Sequence, residues 1–298
     1  MFHSHIGELA AFATAICWTA TPIAFEAAGK RVGSLTVNFI RLIIAFVLIG
    51  LFTLATRGMF LPLDATAVNW TWLTISGMIG FVIGDLFLFE AYVQIGARIS
   101  LLIMAAVPPI TALAGFLILG ETLTFMDLLG MFITVAGIAM VILVKGKNEK
   151  KVQLSHPVKG IIFAFIGALG QSFGTIFSKF GMGEYNAFAA TQIRIIAAIV
   201  GFSIVVTARK HWKNIFESLK DYVSLRNIAI GSVFGPFIGV SLSLLSVQYT
   251  TTGVSSTITS ISRILIIPIS IFVFKEKISL KEILGALITI GGVALLFV

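Results

Sequence analysis

The sequence predicts an all-α polytopic membrane protein of ten transmembrane helices, arranged as two inverted five-helix repeats. Three observations predict it. The 298 residues are 58% hydrophobic and only 11% charged, against about 25% charged in an ordinary soluble domain. Uncharged runs cover residues 65–84, 99–120, 160–178 and 227–262, the last of them 36 residues long; roughly 20 apolar residues carry one helix across a bilayer. The chain also repeats itself over about half its length. The polar–apolar alternation of a membrane barrel is absent from these runs.

The repeat is clearest where each half ends. Residues 121–143, ETLTFMDLLGMFITVAGIAMVIL, reappear as 276–298, EKISLKEILGALITIGGVALLFV. With no gap, Glu121, Leu129, Gly130, Ile133, Thr134, Gly137 and Ala139 become Glu276, Leu284, Gly285, Ile288, Thr289, Gly292 and Ala294. The offset of 155 holds from 76 to 143 and aligns Ser100 with Ser255. Earlier an offset of 153 aligns Gly7 with Gly160, Phe12 with Phe165, Ile40 and Arg41 with Ile193 and Arg194, and Ala45 with Ala198. Such a repeat decides the architecture before any single residue does. Five spans per half is an odd number, so the second half enters the membrane inverted. Inverted repeats commonly place a solute pathway at their interface, near the bilayer midplane.

Hydropathy places the spans near 8–28, 34–56, 69–92, 99–119, 125–144, 159–180, 186–207, 226–248, 254–274 and 280–298. Residues 9–25 read as the first span rather than a targeting peptide, because no small-residue cleavage site precedes a soluble domain. The organisation is therefore 1–144 for the first repeat, 145–158 for a basic linker and 159–298 for the second repeat. Pro157 stands just before the next helix. The other long connection is 208–225. A net charge of +8 would suggest nucleic acid in a soluble chain. Here it reads as Lys and Arg on one membrane face. Sixteen of them flank the connections after spans 1, 3, 5, 7 and 9, against two, Arg57 and Lys179, on the others. The positive-inside rule puts the odd-numbered connections in the cytoplasm and both termini outside. The single Cys17 excludes an internal disulfide and a multi-cysteine metal site.

Small residues and helix starts repeat too. Gly80 and Gly84 match Gly235 and Gly239, a four-residue spacing that lets helix backbones approach closely. Thr124 to Asp127 and Ser279 to Glu282 both fit a capping box, in which hydroxyl and acid satisfy the first amides of a helix. The same acids could instead be read as gate residues, but capping explains both residue types and their spacing.

Charged groups inside spans are costly and are the natural candidates for a solute or proton pathway. Asp85 and Glu90 fall on span 3, where their second-half counterparts are Val240 and Leu245. The repeat therefore does not require this acidity. A carboxyl at the depth of Asp85 can accept a transported proton; the alternative is a buried ion pair. Glu90 lies nearer the helix end and water. Glu26 closes span 1 beside Lys30, an i,i+4 pair. Arg41 and Arg194 are matched residues, read either as a shared structural or anion-binding pair or as side chains snorkelling to the interface. Arg263 is too deep to snorkel, and is expected to face a cavity and meet Asp85 or an anionic solute. Gln171 and Ser172, opposite Trp18 and Thr19 in the repeat, add polar and aromatic groups, with Gln192, Ser241 and Ser243; interhelical hydrogen bonding is the ordinary alternative. Pro108, Pro109 and Pro268 interrupt spans 4 and 9.

Catalytic chemistry has no foothold here. There is no Walker loop, the four histidines lie in loops or at the terminus, and no nucleophile–base arrangement is implied. No cofactor or metal site is expected, and the chain does not read as an enzyme.

Residues 97–140, ARISLLIMAAVPPITALAGFLILGETLTFMDLLGMFITVAGIAM, their echo from Gly253 onward, and the opening GELAAFATAICWTATPIAF resemble the EamA group of the drug/metabolite transporter superfamily. The resemblance covers nearly the whole chain. It implies two inverted five-helix bundles around a cavity formed mainly by spans 1, 3, 4, 6, 8 and 9. It further implies alternating access and export or exchange of amino acids or related metabolites, often proton-coupled, in the plasma (inner) membrane. The implied partners are a small solute, protons and the bilayer, with no nucleic acid. One chain already holds two halves, so a monomer suffices, though an oligomer is compatible. The chain departs from the family pattern where Ile264 stands opposite Pro109, and in its charge bias, since many members keep both termini in the cytoplasm. The alternative from another class is a non-transporting membrane receptor or assembly partner.

Overall fold

The computed structural model describes residues 5–114, 116–117, 122–145, 152–154, 156–250, 255, 258–263, 265–266, 269 and 279–295. Most of the expected ninth span, with Ile264 and Pro268, lies outside these residues, as do Glu121, Gly253, Glu276 and the middle of the linker. The described chain is helical apart from one short ribbon. Its helices are α1 (Ile6–Val32), α2 (Ser34–Arg57), α3 (Ala67–Gly77), α4 (Asp85–Ile103), α5 (Val107–Ala114), α6 (Phe125–Ile142), α7 (Val158–Met182), α8 (Ala187–Ala208), α9 (Trp212–Ser218), α10 (Tyr222–Ser232), α11 (Val240–Tyr249) and α12 (Leu280–Leu295). Among the described residues seven stretches are long and apolar enough to cross a membrane. One of them, Ala67–Ala114, runs 48 residues through α3, α4 and α5, twice what a single crossing needs. α12 has 16 residues, Leu280–Leu295. The chain is thus a multi-pass helical membrane protein. Its outward faces carry Phe12, Leu51, Phe132, Val135 and Leu287, all exposed, as suits helices whose surroundings are lipid.

The long stretch breaks at Gly96, the position inside α4 with a positive φ of 79°. An L side chain is strained there and glycine is not. The break frees the amide of Ala97, which donates to Glu26 Oε2 at 2.6 Å. Glu26, near the end of α1, also pairs with Lys30. The local pairing expected for Glu26 is therefore present, and the same carboxylate caps a helix start on a different segment. A second break falls at the 3₁₀ turn Met104–Ala106. Pro108 and Pro109 follow directly, and the break in span 4 falls on the turn before them, where their rings crowd the preceding carbonyls. The two prolines open α5, where a missing amide proton costs nothing.

Two short π-helical segments link α3 to α4 (Met78–Gly84) and α10 to α11 (Val233–Gly239). They stand at the same 155-residue offset as the rest of the repeat. In the second, Pro236 lacks an amide donor, and a widened turn relieves its clash with the preceding turn.

Glycine sets the packing around these segments. A Cβ at Gly84 would sit 3.3 Å from Gly170 Cα, and one at Gly80 3.5 Å from Gly174 Cα, so this side of α7 lies backbone to backbone against the chain before α4. At the matched positions Gly235 faces Thr21 and Gly239 faces Trp18. Side chains thus separate α1 from the second π segment where glycines meet in the first half. α6 and α12 pack on each other through a reciprocal motif. Gly137 lies against Thr289 and Gly285, and Gly292 against Thr134 and Gly130. Each threonine hydroxyl bonds back to its own helix, Thr134 to the Gly130 carbonyl at 2.8 Å and Thr289 to that of Gly285 at 2.7 Å, and Thr134 also reaches the Thr289 carbonyl across the contact at 3.5 Å, as suits a close approach of two helices. Both capping boxes form. Asp127 accepts from the Thr124 amide at 2.7 Å and Glu282 from the Ser279 amide at 3.0 Å.

The connections are more structured than composition suggested. The ends of the linker pair as an antiparallel ribbon, Leu143–Lys145 with Val152–Leu154. The 208–225 connection holds α9, anchored by Trp212 edge-on to Phe39 at 5.3 Å. Asp221 caps α10 through the amides of Val223 and Ser224. The side-chain hydrogen bond from Arg31 holds its carboxyl down at about 2. A depressed acid contributes above its unfolded value and loses that contribution as pH falls through the folded one, so this clamp persists into strong acid.

Candidate functional site

A cavity of about 170 Å³ lies inside the helical bundle. Its wall is drawn from both halves at positions that the repeat matches. Trp18 faces it with Gln171, Pro22 with Thr175, Phe81 with Pro236, Asp85 with Val240, Tyr92 with Val247 and Met104 with Thr259. The cavity therefore sits where the two copies meet. In several pairs one copy supplies an aromatic or charged group and the other a small or aliphatic one. The two π segments contribute Phe81, Gly235 and Pro236 to the wall; π turns recur at functional sites because they widen the backbone locally.

The most ordered part of the wall is built on Asp85. Its Oδ2 lies 2.5 Å from Arg41 Nη2, and its Oδ1 accepts from Gln171 Nε2 at 2.9 Å. Asn38 completes the array, accepting from Arg41 Nε at 3.1 Å and donating to the Asp85 carbonyl at 3.2 Å. Arg41 and Asp85 are each 3% exposed. The guanidinium also lies over three rings, Phe89 at 4.4 Å, Phe25 at 5.6 Å and Phe81 at 5.8 Å. An ion pair removed from water persists when its geometry is good and its remaining lone pairs are satisfied, and both conditions hold. Asp85 is thus held by an arginine from one half and a glutamine from the other.

Arg194, the repeat partner of Arg41, is equally buried and stacks over the other approach to Phe81 at 4.7 Å. It interacts electrostatically with Asp85, but its Nε has no hydrogen-bond partner among the described residues. Neither arginine snorkels. Arg263 does not reach Asp85, because Arg41 from the adjacent α2 takes that carboxylate first. Its Nη2 donates instead to the Met104 carbonyl at 3.2 Å, and the side chain lines the cavity.

Other sequence candidates fall elsewhere. Glu90 accepts from Ser34 at 2.6 Å and from Gln94 at 2.9 Å, tying α4 to the start of α2 away from the cavity wall. Ser172 donates to the carbonyls of Val107 and Ala168 at 3.1 and 2.9 Å, so its role is the join of α7 to α5. Trp18 and Gln171 do line the cavity. Asn38 and the cage of Phe25, Phe81 and Phe89 escaped the sequence reading. The signal available for Asn38 was its position three residues before Arg41, the same face of one helix.

Known proteins give a consistent picture. The EamA-like transporter family model matches twice, over residues 5–143 and 158–298. An uncharacterized transporter of Archaeoglobus fulgidus is 23% identical over 291 residues, covering 97% of this chain and 96% of that protein. A crystal structure of a protein with 16% sequence identity superposes with a TM-score of 0.63, covering 97% of this chain and 95% of the other; that likeness shows the fold alone. With the family model matching both halves of a multi-pass helical chain, the protein belongs to the EamA-like transporter family.

Proposed function

We propose that the chain is a secondary transporter that moves a small polar or amphipathic metabolite by alternating access. In this reading it has ten transmembrane helices in two inverted five-helix repeats, 1–144 and 159–298, in the plasma (inner) membrane. The observation that carries it is the cavity wall, whose repeat-matched positions come from both halves. Two copies of one bundle, related by inversion, have two nearly equivalent ways to pack. Rocking between them exposes the same cavity to either face in turn. Trp18, Gln171 and the Arg41–Asp85 pair form the wall, Arg194 holds Phe81, and Arg263 supplies a cation. Amino acids or related metabolites match this mixture of rings, hydroxyls and charge.

In this mechanism Asp85 exchanges its Arg41 partner for a proton, taking the one as the other withdraws. Purified chain in vesicles, assayed for uptake and efflux of a metabolite panel with and without a pH gradient, tests the reading. Flux of at least one solute is expected, and no flux of any would favour a receptor or assembly role. Proton-dependent flux that survives intact in Asp85→Asn would remove Asp85 as the proton carrier.

The charge asymmetry of sixteen to two places both termini outside in this reading. A reporter active only in the cytoplasm, fused after Val298, is expected to be silent. Activity there would reverse the orientation.

A further inference from the structure

Resting on the transport reading above, we propose that the cavity takes a small organic carboxylate with an apolar body, and that Arg263 receives its charged group. Three arginines reach the interior, and Arg41 alone has a carboxylate of its own. Arg41 has Asp85, Asn38 and three rings. Arg194 lies on Phe81, outside the cavity wall, with its Nε unpartnered among the described residues. Arg263 has one hydrogen bond, to the Met104 carbonyl. Its Nε is buried without a partner, and no carboxylate lies within ion-pair distance of it among the described residues.

Charge bookkeeping over the described wall gives the sign. Arg41 and Asp85 cancel, and Arg263 remains. Arg263 is half-buried, with its Nε out of water and no counter-ion; a cation so placed is costly and suits an anion that comes and goes. Glu282, which borders a second, smaller void with Arg263, is already engaged. It pairs with Arg98 at 3.2 Å and caps α12 through the Ser279 amide. That void, about 10 Å³ and bordered also by Arg98, has roughly the room of one water. Arg263 thus borders both it and the main cavity.

The chemistry and the body of the ligand follow. The planar fork of the guanidinium matches a carboxylate. The rest of the wall offers Trp18, Phe25, Phe89 and Leu88 for an apolar body.

The test is thermal unfolding of the purified full-length chain in detergent with acetate, hexanoate and phenylacetate, beside acetamide, hexanamide and phenylacetamide. At least one carboxylate is expected to raise Tm, with its amide binding about tenfold or more weakly, the loss that follows when a charge-assisted hydrogen bond is removed. Arg263→Met is expected to abolish the carboxylate response and to raise the ligand-free Tm, because it removes a half-buried charge without a counter-ion. Arg263→Lys is expected to keep a weaker response. An arginine that only braced the Met104 carbonyl would instead lower the ligand-free Tm on replacement. If no carboxylate outperforms its amide on the native chain, the proposal is overturned whatever the variants do. The vesicle assay separates the two readings: flux confined to neutral or cationic solutes overturns the carboxylate and leaves transport standing. Carboxylate-specific stabilisation with no flux leaves the site and removes transport.

Discussion

Replacing Asp85 with alanine is expected to destabilise the chain by about 3–5 kcal/mol, the range for removing one partner of a buried ion pair. The reason is the guanidinium left behind. Arg41 is 3% exposed, its remaining hydrogen bond to Asn38 is to a neutral oxygen, and the three rings around it offer attraction but no counter-charge. Thermal or denaturant unfolding in detergent reads the loss. The double variant Asp85→Ala with Arg41→Met is expected to recover most of it, since a pair replaced by apolar groups is often neutral. Additive losses in the two single variants and the double would show that the two side chains do not act as a pair.

Substituting leucine at Gly137 is expected to cost about 1–3 kcal/mol through overpacking, and the same change at Gly292 a similar amount. Each would drive a side chain into the opposite helix, where even a Cβ falls 2.8 Å from a carbonyl oxygen, that of Gly285 or of Gly130. Gly291 is the internal control. It lies one residue away on the same helix and has open space around it, so Gly291→Leu is expected to stay within about 0.5 kcal/mol of the native chain. Equal effects at 291 and 292, read as folded yield and Tm, would show that membrane insertion rather than the α6–α12 contact sets the loss.

These two cases also mark what the sequence could disclose. The α6–α12 contact was legible because its parts are periodic: a hydroxyl–acid cap, then Gly130, Thr134 and Gly137 at helical spacing, repeated at 285, 289 and 292. The buried charges were legible as charges, since any ionisable group in an apolar run draws notice. Their partners were not. Whether Arg41 or Arg263 meets Asp85 depends on how each helix is rotated and which helix stands beside which, and neither follows from spacing. The aromatic cage was hidden for a different reason. With 26 phenylalanines in the chain, most serving lipid contact or packing equally well, Phe25, Phe81 and Phe89 look like all the rest. Gly96 was one of 28 glycines; only its backbone angle and the Glu26 carboxylate beside it set it apart.

The paired π segments bear on how the two halves are related. A π turn carries one residue more than the α turn it replaces. Had that residue entered only one half, the register between the halves would step by one at that point. It does not: the 155-residue offset runs unbroken from 76 to 143, across Met78–Gly84 and its counterpart Val233–Gly239. The step from 153 to 155 falls earlier, between the matched Ala45 and Ser76, where the second half carries the longer connection with α9. The widened turn therefore belongs to the part of the repeat that the two halves share, while the connection before it is where they have diverged.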